Sequence, residues 1–75
     1  MDLETSFGVV LKALRTRAQL TQTELAGRAG LTSVYVSKLE HGKASPTLTS
    51  IFSLSEALGV SAHELIREVE VRLQS

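Results

Sequence analysis

The chain has no cysteine, no tryptophan and a single proline among its 75 residues, and its formal charge is zero. Without thiols it can form no disulfide and offers none of the sulfur ligands of a structural zinc site, so neither staple can hold a small domain together. Its two histidines, His41 and His63, are isolated in the sequence, and no acid, base and nucleophile fall at a spacing that would make a catalytic cluster. No metal, cofactor or enzymatic activity is expected. Apolar runs extend over only a few residues, against the ~20 needed to span a bilayer. The first residues lack the basic-then-apolar order of a signal peptide. The absence of cysteine fits a reducing compartment, so the expected location is the cytoplasm, with no membrane partner and no small-molecule ligand.

This length suits one domain, residues 1–75, rather than two. A domain so small buries only about 60% of the surface its unfolded chain exposes. With a thin core and no covalent staple, packing and self-association must supply the stability. The neutral total charge hides an asymmetry. Between Leu11 and Lys43 stand six cations, Lys12, Arg15, Arg17, Arg28, Lys38 and Lys43, against Glu24 and Glu40, a local balance of +4. The acidic excess lies at Asp2 and Glu4 and in the tail. A molecule polarised in this way can present one face to a polyanion and reserve another for a different contact.

Apolar residues spaced three and four apart predict an all-α fold of five helices. The first runs over 5–18, with Phe7, Val10, Leu11 and Leu14 inward, and Leu20 follows in the connection. The second opens at Thr21 with a capping box to Glu24 and stops at Gly30. The third begins at Thr32 or Ser33 and closes by Gly42. Ser45-Pro46-Thr47 is a turn and N-cap for the fourth, whose Leu48, Ile51, Leu54 and Leu58 are expected inside. Ser61 and Glu64 form a second capping box for the fifth, 61–74, which carries Leu65, Ile66, Val69 and Leu73.

Residues 21–42 have the pattern two helices need in order to cross steeply over a tight turn. Ala26 falls where they approach most closely, and Gly30 falls where the turn requires positive φ, which costs little only without a Cβ. Leu25, Ala29 and Leu31 meet Val36 and Leu39 from the other helix. The string Thr21-Gln22-x-Glu24-Leu25-Ala26-x-x-Ala29-Gly30-Leu31, then Val36-Ser37-Lys38-Leu39-Glu40-x-Gly42, Pro46-Thr47-Leu48 and Ala57-Leu58-Gly59-Val60 resembles the lambdoid repressor/Cro (xenobiotic-response-element) helix-turn-helix family. The likeness spans about residues 7–66. It implies a compact, lambda-repressor-like regulator of transcription whose third helix, 32–41, enters the major groove of double-stranded DNA.

On that resemblance, Thr32, Ser33, Val34 and Lys38 are the candidate base contacts, because Val36 and Leu39 occupy the inward side. Lys38 suits guanine O6 or N7, the hydroxyls suit either bond direction, and Val34 suits a thymine methyl. Thr32 also suits an N-cap. Gln22 resembles the family glutamine that donates to a phosphate and braces a recognition side chain. Arg17, Tyr35, Ser37, His41 and Lys43 are the further backbone candidates. Ser33 and Val34 stand where some phage repressors place amides, which leaves the target bases open. Arg15 and Glu40 match the positions of a buried ion pair in the family.

Phe52 directly follows Ile51 and so points partly outward, while Ile66, Val69 and Leu73 exceed what so small a core needs. These four are the expected interface of a homodimer. A two-fold pair would set its recognition helices about 34 Å apart on a near-palindromic operator. Phage repressors, restriction-modification controller proteins and antitoxin-like autoregulators share this architecture, and controller proteins match the length best. The competing reading is an adaptor or antitoxin-like chain whose main partner is another protein, and the basic content of the second and third helices speaks against it.

Overall fold

The computed structural model describes residues 2–75. Five helices follow one another, α1 (Leu3–Arg17), α2 (Gln22–Ala29), α3 (Ser33–Glu40), α4 (Leu48–Leu58) and α5 (Ala62–Leu73), with no strand among the described residues. Each starts on a side chain that accepts from an otherwise orphaned backbone amide: Asp2, Thr21, Thr32, Thr47 and Ser61. The first helix begins two residues earlier than its apolar spacing predicts, because Asp2 accepts from the Thr5 amide at 2.7 Å and thereby nucleates the extra turn.

The first four helices end alike. In each, one residue swings into the left-handed region, and the amide after it bonds back to a carbonyl of the last turn. The pairs are Leu20 to Arg15, Leu31 to Ala26, Lys43 to Lys38 and Val60 to Ser55, at 2.9–3.1 Å. Gly30, Gly42 and Gly59 fill the left-handed position in three of them and Gln19 does so after α1. Leu20, Leu31 and Val60 all reach the core or its margin. Lys43 alone occupies that place with a charged, exposed side chain.

The core gathers Phe7, Val10, Leu11, Leu14, Leu20, Leu25, Ala26, Val36, Leu39, Leu54, Leu65 and Val69. The first helix lies against α3 and α5, while α2 lies against α3 and α4. Two expectations change here. Val69, assigned above to a dimer interface, is only 3% exposed and belongs to this domain's own core. It falls one turn after the fully buried Leu65, so it shares that inward face. Leu48, expected inside, is 70% exposed, while Ser50 and Ser55 are buried on the same helix. Ile51 and Leu58 pack at the core's margin. No helix among the described residues is long and apolar enough to cross a membrane.

Candidate nucleic-acid interface

The second and third helices are locked at both ends of their crossing. At the turn, Gly30 has φ of 70° and lets the Leu31 amide reach the Ala26 carbonyl at 2.9 Å. Ala26, 2% exposed, leaves room for α3 to settle on α2. At the far end a polar knot takes over. Arg15 donates from Nε to Glu40 Oε2 at 2.5 Å and from Nη2 to Oε1 at 3.0 Å, a two-pronged pair matched to the planar carboxylate. Its remaining Nη1 donates to the Leu20 carbonyl at 2.8 Å.

Gln22 Nε2 adds a third donor to Glu40 Oε1, at 3.0 Å. A carboxylate in an ion pair only accepts, so the amide must present its nitrogen to Glu40. One knot therefore binds the end of α1, the start of α2 and the end of α3. Only 2% of the Glu40 side chain is exposed. The hydrogen bonds to Glu40 raise the already high pKa of Arg15 against the opposing cost of its burial.

A further constraint comes from Gly8, which sequence reasoning passed over. A methyl group at Gly8 would sit 2.5 Å from the Leu39 carbonyl oxygen and 2.7 Å from that of Glu40. Such distances are far inside van der Waals contact, so α1 rests on the last carbonyls of α3 only because this position is bare. A glycine inside a helical pattern was the available signal, but its reason lay in an element more than thirty positions downstream.

With Val36 and Leu39 fully buried, the opposite side of α3 is solvent-facing. Val34, Lys38 and His41 follow one another along it at i, i+4 and i+7, flanked by Thr32 and Ser33, all exposed. Val34 is 64% exposed and offers an apolar contact on this side. The Thr32 hydroxyl accepts from the Tyr35 amide at 3.1 Å, so it serves as the N-cap and keeps its proton and one lone pair for an outside contact. Ser37 is half-buried.

The expected backbone contacts are dispersed. Lys43 stands at the end of α3, fixed by its amide bond to Lys38. Gln22 is drawn into the knot. Tyr35 is already engaged within the protein, its hydroxyl 3.3 Å from Ser50 Oγ and donating to the Ser45 carbonyl at 3.5 Å. It thus ties α3 to the approach of α4. The Arg17 guanidinium lies 3.8 Å from Glu68 on α5, in an exposed and weak pair that separates it from the α3 cations. His41 Nδ1 lies 2.7 Å from the Ser37 carbonyl.

Two helices crossing at a glycine turn, with an exposed polar and cationic side on the second and its apolar side sealed, define a helix-turn-helix. Residues 11–65 match the helix-turn-helix family model, and the chain belongs to that family, in its xenobiotic-response-element branch of transcription regulators rather than enzymes. It is similar to an uncharacterized HTH-type transcriptional regulator, y4dJ, of Sinorhizobium fredii, 39% identical over 88% of this chain and 86% of that one. It also resembles the control protein C.MunI of a Mycoplasma species, 33% identical over 92% and 95% of the two chains. Among solved structures, the restriction-modification controller protein C.AhdI of Aeromonas hydrophila superposes with a TM-score of 0.79 at 38% identity, covering 81% of this chain and 92% of that one.

Proposed function

We propose that the chain is a sequence-specific regulator that binds double-stranded DNA as a homodimer on a near-palindromic operator and works in the cytoplasm. The observation that carries the reading is the exposed ridge Val34–Lys38, with Ser33 beside it, on a helix immobilised by the Arg15–Glu40–Gln22 knot. Base discrimination requires reading groups held to a fraction of an ångström, and an element tied to two others supplies that precision. Ser33, Val34 and Lys38 read base edges, and Thr32 adds what its N-cap role leaves free, one proton and one lone pair. Lys43 meets phosphate, where its charge acts on any sequence. Tyr35 acts indirectly, by holding the segment that follows Lys43.

The dimer surface in this proposal is Phe52, 61% exposed on α4, together with Ile66 and Leu73 two turns apart on α5. Leu48, one turn before Phe52, extends the apolar patch. The control protein and the restriction-modification controller protein among the relatives support a regulatory role of that kind. Selection of bound sites from random duplexes tests the proposal, combined with a salt titration. Recovery of a two-fold symmetric site whose log affinity falls steeply with log salt is the expected result. Failure to enrich any site, with binding indifferent to salt, would leave the domain a protein adaptor.

A further inference from the structure

His41 occupies the same side of α3 as Val34 and Lys38 and lies at the end of that helix. Its ring is not free to choose its tautomer. Nδ1 approaches the Ser37 backbone carbonyl at 2.7 Å, and a carbonyl oxygen can only accept, so Nδ1 carries the hydrogen. In the neutral ring Nε2 then carries only a lone pair, on an exposed residue. A phosphate oxygen likewise only accepts. A neutral His41 therefore has nothing to offer the DNA backbone, whereas the imidazolium donates from both nitrogens at once.

We infer that His41 is a proton-gated phosphate contact, so that DNA binding takes up one proton at this ring and tightens as pH falls. The inference rests on the DNA-binding reading above and assigns a regulation to the same surface. The charged groups around this end of α3 are Asp2 and Glu4 on α1, Lys38 and Glu40 on α3, and Lys43 beyond it. Glu4 accepts from the Ser45 hydroxyl at 3.0 Å in the loop that follows. Asp2, on the same turn of α1, is occupied in capping the Thr5 amide. That turn packs against the backbone beside His41, since a methyl at Gly42 would meet Thr5 at 3.0 Å. Lys38 and Lys43 are exposed, while Glu40 is turned into the knot with Arg15 and Gln22.

The test is a set of binding isotherms on a duplex obtained by site selection and on a random-sequence duplex, at constant ionic strength. Wild-type affinity should rise roughly fivefold between pH ~8 and ~6 on both duplexes. The dependence of log affinity on log salt should steepen by about 0.9 over that range, the signature of one more neutralised phosphate. His41→Gln, whose amide nitrogen donates at every pH, should bind with no such dependence. His63→Gln, distant in sequence, should retain it. Tight, salt-sensitive binding by the wild type that is flat with pH, or a pH dependence that survives His41→Gln, overturns the gating and leaves the DNA reading intact. No binding to either duplex at low salt overturns both.

Discussion

Lys38 and Lys43 carry the same charge five residues apart, and the proposed function gives them different work. Lys38 stands on the outward ridge of α3 beside Val34, whereas Lys43 follows the glycine that closes that helix. Lys38→Ala should weaken binding to the selected site by ~1 to 3 kcal/mol and relax preference at one base pair. Lys43→Ala should weaken binding to all duplexes alike and reduce the salt slope by about one ion. Competition titrations with specific and random duplexes distinguish them, and equal losses on both for both variants would refute the division. Gly8 bears on the scaffold instead. Alanine usually stabilises a helix interior by ~1 kcal/mol relative to glycine, but here the added methyl meets two backbone oxygens that have no rotamer to change. Gly8→Ala is expected to destabilise by about 1 to 3 kcal/mol in urea unfolding, the scale of an overpacked core. A gain in stability would show that the contact yields easily.

At the scale of the elements, α1, α2 and α5 share an acid-sensitive beginning. Asp2, Glu24 and Glu64 have pKa values lowered chiefly by backbone amides, those of Thr5, Thr21 and Ser61, with smaller help from the same residues' hydroxyls. A folded pKa below the unfolded one means the stabilisation is complete above the ordinary carboxylate range and disappears as pH drops through the folded value. Helicity should therefore be constant above pH ~5 and decline below pH ~4. Glu24→Gln, which keeps an accepting oxygen but no titrating group, should flatten that decline when followed by circular dichroism. The capping boxes were legible in sequence because each is local: Thr21 and Glu24, or Ser61 and Glu64, lie within one turn, whereas the Asp2 cap was not predicted. The inward face of α4 was legible at Ile51, Leu54 and Leu58 but not at its start. Buried Ser50 and Ser55 take places that apolar spacing gives to leucine. Ser50 is small enough for the close approach and its hydroxyl is satisfied by Thr47 and Tyr35, whereas a pattern keyed to hydrophobicity sees Leu48 instead.

The whole molecule, 31 × 23 × 22 Å, leaves Leu48 and Phe52 exposed on α4 and Ile66 and Leu73 at the limit of exposure on α5. Phe52→Lys should convert a two-fold dimer to monomers in sedimentation and, by removing simultaneous occupation of two half-sites, should abolish tight operator binding while leaving the helical signal intact. An unchanged sedimentation coefficient would move the interface elsewhere. The five-helix course and the crossing at Ala26 and Gly30 followed from residues close in the chain. The reach of the core did not, since Val69 is accounted for only once α5 is seen lying along α1. The same holds for the knot, where the pairing of Arg15 with Glu40 came from family likeness and the third member, Gln22, emerged only in three dimensions.

On the proposed function, the bare position at Gly8 would constrain the nucleic acid as much as the protein. A reading rod seated directly on its neighbour's backbone and lashed by a guanidinium would have little slack with which to follow an imperfect site. Adjustment then falls to the duplex, and operators whose unread central steps twist or kink cheaply should outcompete stiffer ones bearing identical outer letters.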